Sequence, residues 1–223
     1  MSLDLISPLA ARAASAVAAV LAAPLAALAL SGLPVSLAHA EPAKAGVGAA
    51  GSAKPPIFVL NSLDASVSII DPVSFQEIRR VPTGKEPHHL YLSPDEKSLL
   101  VANALADSLT LLDPRTGEVQ RVITGISDPY QLKFSPDMKW FLTAANRLNH
   151  VDIYRWQPEN AAEPMKLVKR IATGKTPSHQ WIDSKSSVIY ASMQDSSELV
   201  AIDIATQALR WRIPTGSLPA HVY

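Results

Sequence analysis

Thr83-Gly84-Lys85-Glu86-Pro87-His88-His89-Leu90-Tyr91-Leu92-Ser93-Pro94-Asp95 decides how the rest of the chain is read, because its skeleton returns three more times. Thr124-Gly125-Ile126-Ser127-Asp128-Pro129-Tyr130-Gln131 leads into Phe134-Ser135-Pro136-Asp137. Thr173-Gly174-Lys175-Thr176-Pro177-Ser178-His179 leads into Ile182-Asp183, and Thr215-Gly216-Ser217-Leu218-Pro219-Ala220-His221 runs to Tyr223. The prolines stand at 87, 129, 177 and 219, spacings of 42, 48 and 42 residues. A fixed period in this range marks a repeat architecture.

Between the prolines each repeat alternates short strands and turns. After Pro87 a strand runs through Leu92, and Ser93-Pro94-Asp95-Glu96-Lys97 supplies a β-turn with proline where φ is preset. Leu99-Leu100-Val101-Ala102-Asn103 reads as a buried strand, and Ser108 to Asp113 as the next. Pro114-Arg115-Thr116-Gly117 turns the chain into a more polar outer strand, Glu118 to Ile123. Four strands in about 42 residues make one propeller blade. The reading is therefore all-β: a β-propeller of four-stranded antiparallel blades, about four of them present. The blades fall at 57–81, 88–123, 130–172 and 180–213, with another starting at 221–223. Gln157 to Pro164 is an insertion that accounts for the longer spacing. The first blade supplies only strands two, three and four. Closed propellers remove their sheet edges by taking one blade's strands from both chain ends. The expectation is therefore the N-terminal part of a seven- or eight-bladed ring within residues 56–223.

Composition bounds the rest. Among 223 residues, 20 Lys and Arg balance 20 Asp and Glu, so no bulk field favours nucleic acid or an anionic membrane. The chain has no cysteine, which excludes disulfides, thiolate metal sites, a cysteine nucleophile, a lipidated cysteine and a CxxCH haem attachment. Ala13 to Ala38 carries no charge, Arg12 precedes it, and Ala38-His39-Ala40 gives a small-x-small cleavage signature before Glu41. Residues 1–40 read as a secretory signal peptide, with an uncleaved anchor as the alternative. Pro24, Gly32 and Pro34 weigh against a spanning helix, and no stable span is expected after cleavage. Residues 41–55 read as a flexible linker. In either case the remainder lies outside the cytoplasm, in the periplasm or secreted.

The pattern V-x-T-G-x-x-P, then S-P-D, then an apolar strand ending in Asn, then S-[VL]-[ST]-[IL]-[IL]-D resembles the YVTN family of β-propeller repeats over roughly residues 57–223. No repeat spells those letters; the equivalents are Phe58-Val59-Leu60-Asn61, Leu100-Val101-Ala102-Asn103, Leu142-Thr143-Ala144-Ala145-Asn146 and Tyr190-Ala191-Ser192-Met193. Phe141 to Asn149 also resembles a segment of the haem d1 domain of cytochrome cd1 nitrite reductases. The first resemblance implies a propeller, and the second implies a redox or redox-accessory role with a haem d1-like cofactor. Fold alone does not fix function.

The candidate chemistry lies two residues after each proline. His89, Gln131, His179 and His221 share that position. The first strand of a blade is the innermost, so equivalent positions converge on one channel mouth. Imidazoles ringed in this way can bind a transition metal, ligate haem iron or hold an anion when protonated. The competing reading makes these residues strand caps that bond a neighbouring blade. Lys85 and Lys175 share a loop position and would add positive charge there, or are solvated. Asp71, Asp113 and Asp203 end equivalent strands and read as turn caps, as do Asp95 and Asp137. Trp140, Trp156, Trp181 and Trp211 read as core. There is no Gly-rich phosphate loop, no H-E-x-x-H and no G-x-S-x-G.

Three functions follow, in descending order. The first is an exported propeller that binds a small molecule or a periplasmic partner at the Pro-x-His mouth without catalysing a reaction. The second is a haem d1-type or metal-binding redox or accessory protein. The third is a propeller lactonase-like hydrolase. The export reading is checked by mass spectrometry of protein from a Gram-negative host, which should find Glu41 at the N-terminus. Soluble cytoplasmic protein still starting at Met1 would overturn it.

Overall fold

The computed structural model describes residues 54–223, so the signal-peptide reading and nearly all of the linker lie outside the described residues. Fifteen strands form four separate antiparallel sheets. The first blade has three strands, β1 (Ile57–Asn61), β2 (Ser66–Ile70) and β3 (Glu77–Pro82). The second holds β4 (Pro87–Leu92), β5 (Leu99–Asn103), β6 (Ser108–Leu112) and β7 (Val119–Thr124). The third holds β8 (Pro129–Phe134), β9 (Trp140–Ala145), β10 (His150–Trp156) and β11 (Met165–Ala172). The fourth holds β12 (Pro177–Ile182), β13 (Val188–Met193), β14 (Glu198–Asp203) and β15 (Ala208–Pro214). Strands pair in sequence order, and the inner strands β1, β4, β8 and β12 adjoin one another in turn.

The middle strands of blades two and three are largely buried because both of their faces are covered by neighbouring blades. Alternating side chains go to opposite sides. On β5, Val101 packs with Val67, Ile69 and Val81 of blade one, whereas Leu100 and Ala102 pack with Leu132, Phe141 and Tyr154 of blade three. On β9, Phe141 faces blade two and Leu142 faces Val200 and Ile202 of blade four. The core is therefore three interblade layers. Of the four tryptophans, Trp140 and Trp156 pack against these layers, but Trp211 is 40% exposed on the outer strand β15.

The repeated polar residues have local structural causes. Ser93 and Ser135 donate to Asp95 and Asp137 at 2.6 Å in the Ser-Pro-Asp turns. Asp71, Asp113 and Asp203 each accept backbone N–H groups two or three residues on. These are the turn caps the sequence leads one to expect. Asn103 at the end of β5 donates to the hydroxyls of Ser108 and Thr110, and Asn61 does the same to Ser66 and Ser68. Blade three departs from this rule. Asp152 stands where Ser68 and Thr110 stand and is fully buried. It accepts two bonds from Arg170, at 2.9 and 2.8 Å, and one from the Tyr154 hydroxyl. Burial pushes its carboxyl up, but Arg170 and His150 hold it below the usual range.

Two irregularities recur. Each outer strand carries one extra residue against its partner: Ile78, Gln120, Val168 and Arg210 in turn. Strands β4, β8 and β12 also slip by one residue just after their prolines, between Pro87 and His89, Pro129 and Gln131, and Pro177 and Gln180, whereas β1 pairs without a slip. The pairing thus begins at the prolines, so these sheets extend from 87 to 124, 129 to 172 and 177 to 214. This is slightly wider than the sequence boundaries of 88, 130 and 180.

The crossings between blades are tight. A Cβ on Gly84 would lie 2.7 Å from that of Asn103, so only glycine allows the loop its approach to the end of β5. The residue before each proline is left-handed: Glu86, Asp128, Thr176 and Leu218 have φ of 55°, 41°, 59° and 52°. One crossing is also stapled by charge. Arg147 bonds Glu86 at 2.8 Å, the Ala104 carbonyl at 2.7 Å and Asp128 at 2.7 Å. Asp128 is 1% exposed and accepts the Arg147 backbone N–H as well. Removing the cation would strand a buried carboxylate. Arg147→Met should therefore destabilise the fold by roughly 2–3 kcal/mol in urea unfolding, and adding Asp128→Asn should recover part of the loss. No change in the single variant would show that the staple is not coupled to folding.

Candidate functional site

The inner strands carry the site. A strand presents residues two apart on the same face, and a bulge re-aims what precedes it. The slip after each proline makes His88, Tyr130 and the Ser178–His179 pair the extra residues, so neighbours in sequence turn toward one side. The His88 and His89 rings consequently lie 4.9 Å apart, and His88 packs on Tyr130 at 3.9 Å. His89 faces His179 edge-on at 5.4 Å, and His179 stacks on His221 at 3.8 Å. The three histidines expected from the repeat thus form a continuous row across three proline crossings.

His89, Gln131, His179 and His221 all line one pocket of about 170 Å³. Their roles differ. Gln131 accepts the backbone N–H of Gln180 at 3.2 Å, so its side chain joins blade three to blade four as the capping reading describes. His221 was expected to start an inner strand, but residues 221–223 form no strand here; stacking on His179 positions its ring instead. Lys85 and Lys175 do not line the pocket.

The other half of the lining lies four residues after each proline: Tyr91, Lys133, Trp181 and Tyr223. The sequence reading missed this set, placing Trp181 in the core. The signal was present, since position four shares a strand face with position two and is aromatic in three of four repeats. Trp181 is only half-buried and packs against Tyr223 at 5.3 Å. The Lys133 ammonium sits 3.7 Å from the centre of the Trp181 ring and donates to the Tyr91 hydroxyl at 3.1 Å.

Burial governs the electrostatics of His88, His89 and His179. It pushes His89 down to about 4; the Tyr130 carbonyl works against this, while His88, His179 and His221 add to the lowering. Burial likewise lowers His88 and His179. The Nδ1 of His89 lies 2.6 Å from the Tyr130 carbonyl oxygen. At that distance it must carry the proton and donate, which leaves Nε2 as an acceptor. No nucleophile paired with a base lines the pocket. Among the described residues no three His, Asp or Glu side chains converge as metal ligands. Face-to-face stacking keeps the His179 and His221 lone pairs from meeting at one point. A wider groove of about 560 Å³, lined by Gln120, Arg121, Trp156 and the inserted loop, lies elsewhere between blades two and three. It gathers no comparable cluster.

An imidazole whose pKa falls on folding binds a proton more readily in the unfolded chain. Its stabilising effect is complete above the unfolded value near 6.5 and is lost as pH falls from there toward 4. Wild-type protein should therefore show a falling urea midpoint from pH 7 to pH 5. His89→Gln should show a shallower slope, with His88 and His179 supplying the remainder. An identical slope in the variant would mean that His89 does not titrate in this window.

Solved structures share the fold. Hydrazine synthase from Kuenenia stuttgartiensis superposes with a TM-score of 0.57 at 22% identity, over 71% of this chain and 45% of that one. The periplasmic gluconolactonase PpgL of Pseudomonas aeruginosa gives 0.56 at 17%, over 70% and 50%. The dihydro-haem d1 dehydrogenase NirN, solved in complex with DHE, gives 0.54 at 20%, over 74% and 36%. The chain spans half or less of each of these structures. At such identities the likeness is one of fold, and it bears out the propeller and its similarity to d1-type domains. No curated protein matches the sequence. The family model for the YNCE-like β-propeller matches residues 13–223. With its repeats, its radially ordered blades and that match, the chain belongs to the YNCE-like β-propeller family.

Proposed function

We propose that this propeller is exported and acts as a binding scaffold, holding a small molecule in the pocket between its inner strands. The observation that supports this most is the lining itself. Three histidine rings and three further aromatic rings surround one lysine, and no nucleophile–base pair accompanies them. Ligand sites are concave, rich in aromatic side chains and carry few polar groups, and this pocket has that composition. The apolar run ending at Ala38-His39-Ala40 supports an extracytoplasmic location.

A haem d1-type role has one observation in its favour: the unprotonated Nε2 that the Tyr130 carbonyl imposes on His89 is the atom an iron would take. The pocket does not fit that group. Its 170 Å³ lies below the ~300–1,000 Å³ of ordinary ligand sites, so the inner strands here do not enclose a macrocycle. The lactonase reading rests on neighbours such as the Pseudomonas aeruginosa enzyme alone.

Native mass spectrometry of the full chain isolated from a Gram-negative periplasm should find a bound small molecule. His89→Ala with His179→Ala should lose it while far-UV circular dichroism stays unchanged. A chain that carries no molecule, and whose pocket signals no compound of any class perturbs, would overturn the reading.

A further inference from the structure

We infer that the pocket takes a small aromatic carboxylate of one or two rings. This rests on the binding role proposed above and adds the chemical class. Three observations converge on it.

Size comes first. A pocket of about 170 Å³ admits a single or fused ring and little more. Its walls come second. His89, His179, His221, Tyr91, Trp181 and Tyr223 offer π-faces and ring edges, and aromatic pairs gain from offset or edge contacts at 4.5–7 Å beyond simple burial. A saturated ring of the same size would forgo that gain.

Charge is third. Lys133 is the one Lys or Arg in the lining, and no Asp or Glu lines the pocket. Among the described residues no Asp or Glu pairs with it within ion-pair distance. Burial holds His88, His89 and His179 below their ordinary value, so these three do not compete for an anion near neutral pH. The Tyr91 hydroxyl accepts a hydrogen bond from the Lys133 ammonium at 3.1 Å, so its own O–H remains free to donate. Two donors side by side, one charged, match the two oxygens of a carboxylate.

The test is isothermal titration of the full chain with 4-hydroxybenzoate and indole-3-carboxylate, read in parallel by Trp181 fluorescence. Two controls separate the terms: cyclohexanecarboxylate keeps the charge without the ring, and 4-hydroxybenzyl alcohol keeps the ring without the charge. Both aromatic acids should bind saturably, at least ~10-fold more tightly than either control. Lys133→Met should erase the preference for acid over alcohol. Tyr91→Phe, which preserves shape, should weaken the acids several-fold and leave the alcohol unchanged. Equal binding of cyclohexanecarboxylate, an undiminished acid preference in Lys133→Met, or no binding of either acid would overturn the assignment. If a non-aromatic or uncharged molecule is found bound to the isolated protein instead, the assignment fails while the binding role stands. If no compound of any class binds, both fail.

Discussion

The fold turns on one backbone constraint, the left-handed residue that precedes each blade's proline. Proline biases its predecessor away from helical dihedrals, and a non-glycine residue at positive φ costs about a kilocalorie per mole or more. Yet Glu86, Asp128, Thr176 and Leu218 all adopt it. The constraint is met because the loops around it are tied down. Gly84 lets the chain approach Asn103, Ala104 donates to the Glu86 carbonyl, and Gln194 donates to that of Thr176. What this geometry achieves is a sharp reversal from outer strand to inner strand in four residues. It also delivers the chain to the next sheet one residue out of step, which turns the rings of His88 and Tyr130 toward the row that His89 and His179 occupy.

The repeat therefore does two jobs with one motif, and the four copies share them unevenly. In blade three the motif is turned to structure: Asp128 stands before the proline where Glu86 and Thr176 are only half-buried and becomes the buried end of an Arg147 staple, and Gln131 replaces histidine and ties down Gln180. The same blade contributes Lys133 where the others place an aromatic. Blade three also holds the buried Asp152–Arg170 pair. A lining that repeated perfectly would offer a ligand several equivalent poses. A single lysine among aromatics removes that degeneracy and singles out one orientation.

Much of this was readable from the chain. The proline spacing, the Ser-Pro-Asp turns and the apolar strands named the fold and the sheet order, because turn chemistry and two-sided burial leave local marks. The histidines of the Pro-x-His position were found by periodicity alone. What escaped was whatever depended on register. Trp181 looked like core since tryptophan on a strand usually is, and only the placement of inner strands beside one another shows that it faces a pocket. His221 looked like the start of a strand, whereas its ring is held by stacking. The Arg147 staple joins Asp128 of its own blade to Glu86 and Ala104 of blade two and has no spacing rule to betray it.

The extra residue in each outer strand has a consequence for the protein among its neighbours. The outermost strand of a blade presents a row of unpaired backbone N–H and C=O groups, an invitation for another chain to add a strand. Ile78, Gln120, Val168 and Arg210 break that row at the same place in every blade, so an incoming strand meets a ladder out of phase with its own. Arginine and lysine punctuate the same strands at Arg79, Arg80, Arg121, Lys166, Lys169, Arg170, Arg210 and Arg212. The irregularity that twists each blade thus also works against edge-to-edge pairing at a rim where apolar groups such as Trp211 and Ile213 are exposed.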